Sequence, residues 1–261
     1  MKIIEMKNNY LIHLLKSIPL LPIIYFQGKK IRKEIQLFPE AKNPEDSINA
    51  NSDKNLNILF IGESSFAGVG VENHKNGFAG HFSNALSEKF HYNINWKVYA
   101  KTGYNVDKIQ RKIIPLIVEK ECNLLVIGIG GNDTFELNQP KKWRESVQFL
   151  INDLRQKFPE TPVLFAQLPT IEMFPAFSKE MKQVLGNHKD ILADHLDKQV
   201  LKNKNVYFPT EKINVKEWLG KLKEGQTVSE FFSDGIHPSE LCYDLWAKDC
   251  VTFLGQSKIN F

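Results

Sequence analysis

A chain of 261 residues, 42% hydrophobic and 25% charged, can build one substantial core and is too apolar to be disordered throughout. Its net charge of +4 is uneven: residues 1–36 hold seven Lys/Arg against Glu5 and Glu34, leaving 27 basic and 28 acidic side chains elsewhere. A near-neutral body without a basic stripe excludes a nucleic-acid binder, and three cysteines, Cys122, Cys242 and Cys250, make no disulfide framework, so a reducing, cytoplasmic location is expected.

From Tyr10 to Phe26 the chain is mostly apolar, interrupted by Lys16, Ser17, Pro19 and Pro22 and followed by Lys29, Lys30, Arg32 and Lys33. A membrane span needs roughly 20 mainly apolar residues; this run is shorter and contains a lysine and two helix-breaking prolines, so no span is expected. The A-x-A cleavage pattern of a secretory signal is missing after Phe26. Two readings stay open for an extension over 1–38. Residues 10–33 touch a membrane surface peripherally, with the cations at anionic headgroups, or they fold onto the body with a core-facing stripe. Residues 39–56 are polar and rich in turn formers, and read as a linker or surface excursion ahead of a domain over 57–261.

The run 57–62 is continuously apolar and ends in glycine, as expected for a strand buried on both faces of a parallel sheet. Similar runs recur at 94–100, 124–129, 162–168 and 205–208. Segments of helical period lie between them at 76–90, 105–120, 140–158 and 179–203, and Pro238 opens a last one. The alternation predicts an α/β fold: a three-layer α/β/α sandwich with a mostly parallel sheet of about five strands and right-handed crossovers. Sites in such sheets form at the carboxyl ends of strands. The loops 62–70, 101–105, 130–135, 169–177 and 233–238 are therefore expected on one rim.

Four elements on that rim carry chemistry. Gly62-Glu63-Ser64 offers a serine directly after the first strand, although Phe66 stands where a G-x-S-x-G elbow needs its second glycine. Gly103 and Asn132 follow the second and third strands; taken alone they are a turn glycine and a helix-capping asparagine, and together a backbone N–H and a side-chain NH₂ suited to an oxyanion. Asp234 precedes His237 by three residues, close enough for its carboxylate to accept from the imidazole and hold one tautomer.

These blocks, Gly62-Glu63-Ser64-Ser65-Phe66-Ala67-Gly68, Gly103, Gly130-Gly131-Asn132-Asp133 and Asp234-Gly235-Ile236-His237, resemble in order the SGNH/GDSL family of serine esterases and lipases over roughly residues 57–254. The resemblance implies a flavodoxin-like SGNH-hydrolase fold, Ser64 as nucleophile, His237 as general base and acid, Asp234 as its orienter, and an oxyanion hole from the Ser64 N–H, the Gly103 N–H and the Asn132 amide. Glu63 departs from the family's aspartate. The leaving group stays open between a carboxylic ester, a thioester or lysophospholipid, and an acetylated sugar. A non-catalytic membrane-surface module is the reading from another class, and the complete set of site residues counts against it.

Phe66, Phe135, Phe174, Phe177 and Ile236 lie on or near rim loops and are expected either to wall an acyl pocket or to plug the edge of the core. No metal is expected, because His188 and His195 stand seven apart, about two helical turns, and the chain has no phosphate-binding glycine loop for a nucleotide cofactor. The expected partner is a small-molecule acyl ester, with no obligate protein partner evident.

Overall fold

The computed structural model of the protein describes residues 2–34, 38–257, 259 and 261. Met1 and residues 35–37 of the expected extension lie outside the described residues, as do the side chains of Lys2, Glu5, Lys7, Arg32 and Glu34.

Two helices, α1 (Lys2–Ser17) and α2 (Leu21–Glu34), are joined by a 3-10 turn over Ile18–Leu20. The prolines expected to break this stretch sit in first turns, Pro19 in the 3-10 turn and Pro22 in α2, where a missing N–H costs nothing. The helical stretch Tyr10–Ile31 is consequently 22 residues and is long and apolar enough to cross a membrane by length and composition. This corrects two of the grounds drawn from residues 10–26 alone, that the stretch is too short and that its prolines break it.

The segment expected as a linker supplies an edge strand, β1 (Glu45–Ile48). It is polar because it closes the sheet edge next to solvent, which masks it in the sequence. The central strands follow: β2 (Asn55–Gly62), then helix α3 (Phe78–Phe90), β3 (Asn93–Ala100) and helix α4 (Val106–Lys112). Next come β4 (Leu124–Gly128), the short α5 (Gly131–Phe135), the long α6 (Pro140–Lys157), and β5 (Val163–Phe165). The chain ends through α7 (Lys179–Val200), β6 (Val206–Tyr207), α8 (Val215–Leu219) and α9 (Glu240–Gln256). α9 begins two residues beyond Pro238, with Ser239 capping it by accepting from the Cys242 N–H.

Among the described residues the sheet has six strands in the order β1-β3-β2-β4-β5-β6, with β1 antiparallel and the rest parallel. The five parallel strands thus follow the flavodoxin-like order, whose switch point lies between β2 and β4. Alternate residues feed two cores. Ile58, Phe60, Val126 and Leu164 face the layer of α3 and α9, while Leu59, Ile61, Ile127 and Phe165 join the one that contains α6 residues. The three-layer α/β/α expectation is met.

At the switch point Gly62 and Gly128 are register partners, and the Phe66 ring lies against both. A Cβ on Gly128 would stand 2.2 Å from the ring and one on Gly62 2.7 Å, so both strands end in glycine to admit it. Phe66 also meets Phe78 at 4.7 Å, Trp246 at 5.9 Å and Phe60 at 6.2 Å between centroids. Replacing it, Phe66→Ala, is expected to cost about 3–5 kcal/mol in urea unfolding; a loss under about 1 kcal/mol would show that the ring does not organise this junction.

Candidate active site

Ser64, Asn132 and His237 line one cavity at the carboxyl ends of β2 and β4. Ser64 is half-buried in the turn after β2, where Phe66 and Ala67 N–H groups donate to the Glu63 carbonyl and Val69 N–H to that of Ser64. These bonds wind the backbone tightly. The same loop is tied to the His237 loop from two sides: Ser233 Oγ donates to the Gly70 carbonyl at 2.8 Å, and the buried Tyr243 hydroxyl to the Val69 carbonyl at 2.8 Å. These cross-ties join residues 163 and 174 apart in sequence and bring the two loops to one crevice.

The His237 loop is a small hairpin, closed by Ser233 N–H to the His237 carbonyl and Ser239 N–H to that of Phe231. Gly235 turns it at φ +86, a left-handed conformation that favours glycine. Asp234 then uses both oxygens. Oδ1 accepts from the N–H groups of Ile236 and His237 at 2.9 and 2.8 Å, and Oδ2 lies 2.7 Å from His237 Nδ1. Burial pushes the Asp234 carboxyl up, but the His237 ring and the two N–H donors together outweigh it and hold the group below its ordinary range. An acceptor-only carboxylate assigns the proton of the neutral ring to Nδ1 and leaves Nε2 with a lone pair. His237 Nε2 and Ser64 Oγ share the cavity without a direct hydrogen bond, as is common before substrate binds.

The oxyanion candidates are placed less uniformly. Gly103 is exposed beside the cavity rather than in its wall, and its N–H, like that of Ser64, makes no hydrogen bond to a described residue. Asn132 lines the cavity, yet its amide is already engaged: Nδ2 donates to Glu63 Oε2 at 2.7 Å and to the Tyr104 carbonyl at 3.1 Å. Those two acceptors also settle which way the amide points.

Glu63 is the residue whose importance the sequence did not disclose. Its carboxylate, 4% exposed, accepts the Gly131 N–H at 2.7 Å through Oε1, and the Asn132 N–H and side chain at 2.9 and 2.7 Å through Oε2. It thereby caps α5 and pins Asn132. Burial lifts the Glu63 acid to about 7 despite these donors, and pushes neighbouring Asp133 up to about 6.

The cavity walls are apolar. Of the five side chains read as pocket wall or core plug, Phe135, Phe174 and Ile236 line it, together with Ile213, Trp218 and Phe232. Phe66 and Phe177 do not. Phe66 is seated on the glycine pair in the core, and Phe177 backs the wall, edge-on to Phe135 and Phe174 at 5.8 and 5.3 Å. Trp218 escaped the sequence reading because it sits in the polar stretch 209–230; its isolation there was the available signal. Asp249 accepts its indole N–H at 3.0 Å and fixes the ring.

Solved structures share this architecture. The lipase Lip_vut3 from a goat rumen metagenome superposes with a TM-score of 0.58 at 18% identity, over 79% of this chain and 100% of that one. A member of the lipolytic protein G-D-S-L family from Veillonella parvula gives 0.57 at 16%, over 77% and 99%. A carbohydrate esterase family 2 enzyme with a carbohydrate-binding domain from Corynascus thermopiles (Myceliophthora fergusii) gives 0.54 at 15%, over 78% and 67%. At such identities the likeness is one of fold. A search of curated proteins by sequence returned no match. The profile of the GDSL-like Lipase/Acylhydrolase family matches residues 60–245, well over half of the chain and all the blocks from Ser64 to His237. The chain belongs to the GDSL-like lipase/acylhydrolase family, a family of ester and acyl hydrolases.

Proposed function

We propose that the protein hydrolyses carboxylic esters of small acyl substrates through an acyl-enzyme on Ser64. The observation that carries this reading is the 2.7 Å contact between Asp234 Oδ2 and His237 Nδ1 at the wall of a cavity that Ser64 also lines. With Nδ1 protonated, Nε2 takes the Ser64 hydroxyl proton as Oγ bonds to the ester carbonyl carbon. The tetrahedral oxyanion is met by the N–H groups of Ser64 and Gly103 and by the Asn132 amide, which exchanges one of its two resting acceptors for the substrate oxygen. Collapse expels the alcohol with the proton from Nε2. Water, deprotonated by the same nitrogen, then attacks the acyl-enzyme, and the acid leaves as Ser64 regains its proton.

Phe135, Phe174, Phe232, Trp218 and Ile236 in the cavity wall favour an apolar acyl chain over a bare acetyl group on the carbonyl side of the bond. Ser64→Ala and His237→Ala are each expected to lower kcat on a chromogenic short-chain ester at least about a thousandfold, and Ser64→Ala to abolish fluorophosphonate labelling. Retained labelling in that variant would assign the nucleophile elsewhere.

Glu63 acts on this chemistry by positioning Asn132. Glu63→Gln keeps the shape but sets an NH₂ against N–H donors, so kcat should fall on the order of ten- to a hundredfold with KM little changed. Stability gives an independent readout. A carboxyl lifted from 4.5 to about 7 holds its proton more tightly when folded. Its contribution is present below the unfolded value and lost as pH rises through the folded one, on the order of 3 kcal/mol in all. Urea unfolding between pH 4.5 and 8 should show that decline in the wild type and a flatter profile in Glu63→Gln; identical profiles would remove Glu63 from the linkage.

A further inference from the structure

We propose that the N-terminal extension docks the protein on an anionic membrane surface through an apolar stripe that the fold leaves uncovered. The extension is two-sided. Residues 13, 17, 20, 24, 27 and 31, spaced three to four apart, are buried or half-buried. His13 stacks on His188 of α7 at 6.0 Å, Ile24 and Ile31 pack on the core, and Gln27 Oε1 accepts the Ser178 hydroxyl at 2.7 Å. The opposite stripe, with the same period, is open: Leu11, Leu15, Ile18, Tyr25 and Phe26 are all more than half exposed. One stripe thus accounts for docking onto the body, and the other is left uncovered among the described residues.

Charge selects the occupant. Between residues 6 and 33 the sequence has Lys7, Lys16, Lys29, Lys30, Arg32 and Lys33 and no Asp or Glu. Lys16, Lys29, Lys30 and Lys33 are exposed, and Lys29 Nζ lies 4.7 Å from the centre of the Tyr25 ring, an amphipathic pair suited to a lipid headgroup region. A second copy would set like charges against each other. A span would strip the inner stripe from α7 and bury Lys16 in hydrocarbon. An anionic lipid surface takes the apolar stripe and the cations together while the inner stripe stays docked.

The docked stripe reaches the site: Ser178, bonded to Gln27, adjoins Phe177 and the loop whose Phe174 walls the cavity. A lipid surface held there lies beside the rim, so acyl substrates in that surface are the ones reached first. That last step rests on the esterase reading; the docking itself does not, because it is measured without turnover.

The test is co-sedimentation of the full chain with vesicles of phosphatidylcholine alone or mixed equally with phosphatidylglycerol. Binding is expected for the anionic vesicles, weaker by at least about tenfold for neutral ones, and reversed by 0.5 M NaCl. Leu15→Glu with Phe26→Glu, and separately Lys29→Glu with Lys33→Glu, should each lower partitioning at least about tenfold, with unchanged far-UV circular dichroism as the folding control. Equal binding to both vesicle types, indifference to both pairs of substitutions, resistance to alkaline extraction as for a span, or self-association abolished by the Leu15/Phe26 pair would each overturn the proposal.

Discussion

The structure depends on how closely β2 and β4 approach one another at their carboxyl ends. Gly62 and Gly128 stand in register there with Phe66 laid across them, and Glu63, the next residue, donates its N–H to the Gly128 carbonyl at 3.1 Å. Any larger side chain at either glycine would collide with the ring. Because the flavodoxin-like order puts the switch point between these two strands, this junction is also where a crevice opens. Ser64 and Asn132 reach the crevice from adjacent strands for that reason. The Glu63 carboxylate then crosses from one loop to the other, so the serine turn and α5 are held by a single buried group.

The remaining part of the site arrives from the far end of the chain, and it is held by polar ties rather than by the sheet. Ser233 and Tyr243 each reach a carbonyl of the serine loop, while Trp246 packs on Phe66. A group that bonds a buried carbonyl is costly to leave unpaired, so the His237 hairpin has little freedom to drift away from Ser64. Asp234 is spent on its own loop as much as on the imidazole, with one oxygen on two backbone N–H groups and the other on Nδ1. The orientation of the ring and the shape of the hairpin are one arrangement.

The extension follows a different logic. Its inner stripe is satisfied by α7 and the core, which agrees with the reading of a segment folded onto the body. That packing covers one side only, and the exposed leucines, Tyr25 and Phe26 on the other are what a helix period of 3.6 leaves behind when a segment is apolar nearly all round.

Much of this was legible in the sequence because its signals are local. Continuous apolar runs ending in glycine mark strands buried on both faces, and Asp234 three residues before His237 can meet it within one turn of chain. Ser64, Asn132 and His237 were accordingly assigned to one rim, and the structure gathers them at one cavity. β1 was missed because an edge strand beside solvent needs no apolar period, and its pairing with β3 is a contact between residues about fifty apart. Which phenylalanines face the cavity was equally invisible. Phe66 and Phe135 are alike in sequence context, and only the glycine pair beneath Phe66 draws it into the core. The two engaged protons of Asn132, the reach of Glu63 across two loops, and Trp218 in the wall were settled by packing between segments distant in the chain, where no residue pattern records who the neighbour will be.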